Sequence, residues 1–368
     1  MAKSRLHELS EAGVSVWIDS LSRELLETGE LARLIEEDAV VGVTSNPTIF
    51  QKALSAGDRY DEQLKEILSS EDDPTEIFLR LAIEDVKDAC DLLRPVWDGG
   101  GGQDGYVSLE VDPTLAYDRE RTFGQAMRLH EDVDRPNLLV KIPATEPGLG
   151  AIEDSIARGK SINVTLTFSL DRYEAVVEAY VRGLERLVED GGDPAPVASV
   201  ASFFVSRVDT EADKRLDAAG NSALQGRLAI ANAKLAYQHY LEVFAGPRWA
   251  PLATKGATKQ RCLWASTSTK NPAYRDVLYV EELIGPETVN TMPAETIEAF
   301  QDHGEVKRDS LTSDVAEAEQ LLVDLREAGI DYDDVTETLE REGVQKFADS
   351  FEELLDGISA KRSELAPA

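Results

Sequence analysis

Eight short runs rich in apolar and β-branched residues punctuate this chain, four of them with apolar and polar positions alternating with a period of two. The runs are VSVWID (14–19), VVGVTSN (40–46), YVSLEV (106–111), NLLVKIPA (137–144), SINVTLTFS (161–169), VASVASFFV (197–205), RCLWAST (261–267) and TVNTMP (288–293). Between them the apolar spacing changes to that of helices, as in RELLETGELARLIEE (23–37) and RYEAVVEAYVRGLERLVED (172–190). A regular β–α alternation with no β-only block predicts a parallel sheet, and eight units close naturally into a (β/α)8 TIM barrel with additional helices. The chain reads as one domain, 1–368, with extra helices expected in 47–105, 208–260 and a helical tail, 294–368. A doubly wound open sheet is the alternative, disfavoured because no G-x-G-x-x-G follows the first run. Gly99–Gly102 lacks the Lys and Ser/Thr of a P-loop and reads as a surface loop.

Alternate strand residues face opposite sides, so each run divides into two rows. In 137–144, Leu138, Val140 and Ile142 oppose Leu139 and Lys141; in 161–169, Val164, Leu166 and Phe168 oppose Asn163, Thr165 and Thr167. In 106–111, Val107 and Leu109 oppose Ser108 and Glu110; in 14–19, Val14, Val16 and Ile18 oppose Ser15, Trp17 and Asp19. The aliphatic rows suit a helix layer and the polar rows the barrel interior. Asp19, Glu110 and Lys141 fall near the C-terminal ends of their strands, where barrel active sites lie. Buried charge is costly unless it is paired or functional. The structural alternative is an ion-pair cluster that fills the barrel. The functional reading is an amine whose burial favours its neutral form, able to attack a carbonyl and form a Schiff base. The iminium then acts as an electron sink for cleavage of a neighbouring C–C bond. Asp19 and Glu110 are the acids available to move protons, and Asn163 and Thr165 can hold hydroxyls or water.

Composition narrows the partners. Asp and Glu number 70 against 38 Lys and Arg, a net charge of −32, which argues against nucleic acid and against an electrostatic hold on anionic membranes. At 42% hydrophobic there is material for a full core. The two cysteines, Cys90 and Cys262, exclude a disulfide framework, and the four histidines form no metal-spaced pair, so no metal and no cofactor is expected. Residues 1–13 carry charges throughout and lack the apolar core of a signal peptide, which predicts a cytoplasmic protein.

At these residues the sequence resembles a transaldolase of the longer bacterial type, within the class I aldolase group. WIDS (17–20), TSNPTIF (44–50), SLEVDPTLAYD (108–118), LLVKIPAT (138–145), INVTLTFS (162–169) and SFFVSRVD (202–209) follow one another as that family's motifs do. The resemblance implies a barrel with its Schiff-base lysine, Lys141, on the fourth strand. It implies that Glu110, with Thr165 and a water, handles protons during imine formation and hydrolysis, and that Asp19 takes the substrate hydroxyl proton. Asn46 and Asn163 would hold hydroxyls, Ser202 would sit near the dihydroxyacetone unit, and Arg207 and Ser266 would bind phosphate. The implied reaction moves a dihydroxyacetone unit from sedoheptulose 7-phosphate to glyceraldehyde 3-phosphate in the non-oxidative pentose phosphate pathway. Its products are erythrose 4-phosphate and fructose 6-phosphate, and the enzyme is a monomer or homodimer. A simple aldolase of the same family and a non-catalytic sugar-phosphate-binding barrel are the rivals.

One departure stands out. The family's short form has an Arg two residues beyond the strand-seven serine; here the stretch reads Ser266-Thr267-Ser268-Thr269-Lys270. Lys270 is the candidate substitute, a point charge in place of a bidentate fork. Arg207, Lys270 and Lys141 then form the local basic cluster that an acidic phosphosugar enzyme needs. Phe204 is expected as pocket wall and Trp17 as core. Cys262 is expected on the inward face. Asp331–Asp334 reads as an acidic helix start.

Overall fold

The computed structural model describes residues 4–365. Eight strands are present: β1 Val14–Ile18, β2 Val40–Thr44, β3 Tyr106–Glu110, β4 Leu138–Pro143, β5 Ile162–Thr167, β6 Ser199–Phe204, β7 Arg261–Ala265 and β8 Thr288–Met292. Each pairs in parallel with the next, and β8 returns to β1 with Val14 beside Thr288, closing the barrel. Nearly every strand position is buried, because helices cover the outside and side chains fill the inside. The helices expected between 47 and 105 are Pro47–Ser55, Asp61–Ile67 and Pro74–Gly99, and those expected in 208–260 include Leu228–Ala245. No helix among the described residues is long and apolar enough to cross a membrane.

Each expected run outlasts its strand at the C-terminal end, for a local reason. After β2, β4 and β5 a residue two past the strand caps the next helix. Asn46 Oδ1 accepts from the Ile49 N–H at 3.0 Å, Thr145 Oγ1 from Gly148 at 3.1 Å and Ser169 Oγ from Arg172 at 3.1 Å. These oxygens satisfy N–H groups that have no partner inside their own helices. The segment 23–37 is two helices, Arg23–Glu27 and Glu30–Glu37, because Gly29 takes a φ of 76° that breaks the helical path.

Register sets the interior. Glu110 lies beside Lys141, and Lys141 beside Asn163; Thr44 lies beside Ser108. Neighbours in parallel strands point the same way, so these side chains share the inside. The N-terminal end is closed by a polar knot. Asp104 accepts from Ser15 Oγ at 2.7 Å, from Arg261 at 3.0 Å and from Trp17 Nε1 at 3.3 Å. Trp17 is therefore core, pressed over Gly42: a Cβ there would lie 2.5 Å from its indole ring. Gly42→Ala should cost about 1–3 kcal/mol of stability through overpacking, read as a lower urea midpoint with an unchanged slope.

Cys262, expected inside, faces outward. Its Sγ lies 3.1 Å from the Tyr173 hydroxyl on the helix Leu170–Glu189. The row that faces inward on β7 is Arg261, Leu263 and Ala265, since Leu263 pairs with Ser202 and Ala265 with Phe204.

The tail ends in a helix of 34 residues, Tyr332–Leu365. Asp331 Oδ1 accepts from the N–H groups of Asp333 and Asp334 at 3.1 and 3.2 Å, so the acidic run starts the helix. This helix packs on Pro47–Ser55, Pro74–Gly99 and Ser206–Ala218, all of them beside the C-terminal mouth. It comes close to β5 at Gly343, where a Cβ would lie 3.0 Å from Leu166. Ser350 Oγ meets Thr48 Oγ1 at 2.8 Å, and Glu340 pairs with Arg172 at 3.1 Å.

Candidate active site

A cavity of about 270 Å³ opens at the C-terminal mouth of the barrel. Of the expected site residues, Asp19, Asn46, Lys141, Thr165, Ser202, Phe204, Arg207, Ser266 and Lys270 line it. Glu110 and Asn163 do not line it; both are buried beneath it.

Lys141 rises from β4 between Val140 and Ile142 and is only 5% exposed. Its Nζ donates to the Ser45 carbonyl at 2.9 Å and lies 3.2 Å from Glu110 Oε2. Strand register accounts for the pair, since the two Cα atoms are neighbours across β3 and β4. Burial holds the Glu110 carboxyl above the usual carboxylate range, and the Lys141 charge offsets part of that rise. Neither Glu110 oxygen accepts a well-formed hydrogen bond, and the buried Thr165 hydroxyl has no partner either. Buried polar atoms left unpaired cost free energy. Glu110 Oε1 and Thr165 Oγ1, with no partner among the described residues, suit a site that binds a water or a substrate hydroxyl.

Asp19 stands just past β1, its N–H bound to the Met292 carbonyl at 2.8 Å. Its Oδ1 accepts from Thr44 Oγ1 at 2.6 Å, and that oxygen lies 2.6 Å from Thr291 Oγ1. Burial pushes the Asp19 carboxyl up; Lys141, the Thr44 hydrogen bond and Arg207 pull it back in part. Thr44 and Thr291 were not anticipated from sequence, although both belong to inward rows.

Asn163 lies outside the cavity lining. It is fully buried, donates Nδ2–H to Ser108 Oγ at 3.0 Å and accepts from Ser202 Oγ at 2.7 Å. It holds the Ser202 hydroxyl, which does line the cavity. Asn46 spends its oxygen on the helix cap, which leaves its Nδ2 amide to serve a ligand.

The outer part of the cavity is cationic. Arg207 lies against two aromatic rings, its Cζ 5.0 Å from the Phe204 centroid and 5.8 Å from that of Phe347. Burial lowers the Arg207 pKa from its ordinary value, opposed by Asp19 and Glu110. Ser266 holds a positive φ of 56° at the end of β7, with its Oγ 3.0 Å from Ser206 Oγ. That conformation is strained for a residue with a Cβ, and such strain concentrates at functional sites. Lys270 lies at the cavity rim and donates to Ser268 Oγ. Lys52, Glu295, Lys346 and Phe347 also line the cavity, none of them foreseen. Lys346 and Phe347 come from the tail helix. Their spacing is ordinary for an amphipathic helix, so only the path of the chain over the mouth reveals them. No cluster of three or more metal-binding side chains occurs among the described residues.

The sequence pattern of the Transaldolase/Fructose-6-phosphate aldolase family matches residues 16–358. A protein named Transaldolase from Frankia alni is 54% identical over 357 residues, covering 96% of each chain. Transaldolase 2 from Streptomyces coelicolor is 50% identical over 366 residues, covering 99% of this chain and 98% of its own. Transaldolase from Mycobacterium marinum is 52% identical over 365 residues, covering 98% of both. With a closed eight-stranded barrel, an inward lysine on its fourth strand and relatives matched along nearly the whole length, this chain belongs to the transaldolase/fructose-6-phosphate aldolase family.

Proposed function

We propose that this chain is a transaldolase that works through a Schiff base on Lys141. It carries a dihydroxyacetone unit from sedoheptulose 7-phosphate to glyceraldehyde 3-phosphate, giving erythrose 4-phosphate and fructose 6-phosphate. The observation that carries the reading is one buried amine, 3.2 Å from a carboxylate, in a cavity that also holds Asp19 and a cationic outer part.

Each step uses a residue already in place. Lys141 hands a proton to Glu110, whose buried carboxyl holds protons more firmly than an exposed one. The free amine adds to the ketose carbonyl. Glu110, working with Thr165 and a bound water, returns the proton as water leaves and the iminium forms. Asp19 then takes the proton of the C4 hydroxyl. The C3–C4 electron pair moves into the iminium, the aldose phosphate departs and an enamine remains on Lys141. An incoming aldehyde accepts those electrons, Asp19 returns the proton, and water releases the new ketose. Because the iminium keeps a positive charge beside Asp19, the base stays ionised when it is needed.

The rival in the same family is an aldolase that protonates the enamine and releases free dihydroxyacetone. Steady-state assays with and without glyceraldehyde 3-phosphate separate the two. We expect turnover of sedoheptulose 7-phosphate to depend on the acceptor; equal turnover without it would overturn the reading. Asp19 must be ionised to act, and burial raises its pKa. The rate should therefore fall on acidification with a midpoint above that of an ordinary aspartate; a flat profile from about pH 5 to 9 counts against this base. The enzyme acts as a monomer or a homodimer. The cytoplasm suits both phosphosugars and the two buried free cysteines.

A further inference from the structure

We infer that the tail helix Tyr332–Leu365 is part of the substrate site: Lys346 binds the phosphate of the sugar, and Phe347 positions Arg207 for the same task. The inference rests on the phosphosugar reading above and names residues that reading does not contain.

Three observations carry it. The first is convergence. Lys52 from the helix Pro47–Ser55, Arg207 from the start of Ser206–Ala218, Lys270 from the loop after β7 and Lys346 from the tail helix all line one cavity. The second is their lack of partners. Carboxylates outnumber cationic side chains 70 to 38, and many arginines here are paired, yet none of these four forms an ion pair among the described residues. They face one another instead. Arg207, Lys270 and Lys52 all act to destabilise the charge on Lys346. Like charges gathered in this way raise the energy of the empty site and lower that of a site holding a dianion. Asp19 and Glu295 line the same cavity, but neither lies within ion-pair distance of the four. The third is the packing of Arg207. Phe204 covers one side of the guanidinium and Phe347 lies over it from the tail helix, which restrains the fork that would meet the phosphate.

The tail helix is fixed well enough for this. Thr48 meets Ser350, Arg172 pairs with Glu340, and Gly343 allows close approach to Leu166. Lys346 and Phe347 are therefore held over the mouth by contacts on both sides of them in sequence. A strap that spans the opening also accounts for an acidic protein's ability to take anionic substrates: the local field at the mouth is opposite to the net charge, and beyond about 8–10 Å the remainder is screened.

The test compares Lys346→Gln, Lys346→Arg and Phe347→Leu with the parent chain. Lys346 is exposed at the rim, so its replacement leaves the core untouched. With phosphorylated donor and acceptor we expect Lys346→Gln to raise KM about 10- to 100-fold, the usual weight of a charge-assisted contact to phosphate, with kcat changed little. Lys346→Arg should recover most of the loss. With unphosphorylated glyceraldehyde as acceptor, KM for that aldehyde should not move. Phe347→Leu should raise KM for phosphosugars alone, by a smaller factor. Inorganic phosphate binding, followed by calorimetry on the full-length protein, should weaken in step. A KM that rises equally for phosphorylated and unphosphorylated acceptors, or one that does not rise, overturns the role of Lys346. Phosphate binding that needs Lys346 in a protein without transfer activity overturns the reaction but not the subsite.

Discussion

Lys141→Ala leaves no adduct: after incubation with fructose 6-phosphate and borohydride, the variant keeps its original mass while the parent gains a three-carbon unit on Lys141. Transfer activity falls by about four to six orders of magnitude, the scale on which loss of a covalent nucleophile is felt. The physical reason is that nothing else in the cavity can form an iminium. Lys52, Lys270 and Lys346 also line it, but they lie at its outer part and none has a carboxylate within ion-pair distance. The cost to the fold is separable. Removing the cation leaves the Glu110 carboxylate buried without its partner, and breaking such a pair destabilises by about 3–5 kcal/mol. Circular dichroism and a urea titration therefore accompany the assay, and Lys141→Met, which preserves the stem, provides the better-folded control. An adduct that persists in either variant would place the Schiff base on another amine and dismantle the mechanism.

The second large effect belongs to Asp19→Asn. The amide oxygen can still accept from Thr44, so the local geometry survives. The base does not. We expect kcat to fall about 10²- to 10⁴-fold, the range typical of a lost general base, with little change in KM for sedoheptulose 7-phosphate. Trapping tells the two variants apart. In Asp19→Asn the ketose still condenses with Lys141 but does not cleave, so borohydride should fix the whole hexose of fructose 6-phosphate in place of a three-carbon fragment. A three-carbon adduct formed at the parent rate would mean that Asp19 is not the base. The acid limb of the pH profile should disappear in the same variant, since the buried carboxyl responsible for it is gone.

In the proposed mechanism, position divides the work between two acids, Glu110 and Asp19. Both carboxyls are raised by burial and both are drawn back by Lys141. Glu110 lies outside the cavity lining and touches the amine, so the proposed mechanism gives it the imine chemistry. Asp19 lines the cavity itself, held by Thr44, so it is placed for the substrate hydroxyl. Sequence alone put both on inward rows but said nothing of their relative depth. Strand register sets Glu110 beside Lys141, and Asp19 stands just past the end of β1.

Much of the molecule was fixed by local pattern. Short β-type runs located all eight strands, since buried strands need an apolar row against the helices, and their order around the barrel follows chain order. The same alternation picked out Lys141, Glu110, Asp19 and Thr165, because a charge on an otherwise aliphatic strand has few structural explanations. Local pattern failed where an answer depended on the path of the chain or on partners distant in sequence. Cys262 turned outward to Tyr173. The break at Gly29 required a φ that periodicity does not encode. Most of all, Lys346 and Phe347 belong to the site only because a helix from the far end of the chain crosses the mouth. A sequence carries the facing of each side chain, which is set by backbone geometry one residue at a time; the meeting of side chains from distant segments is set by packing of the whole, and that only the folded chain decides.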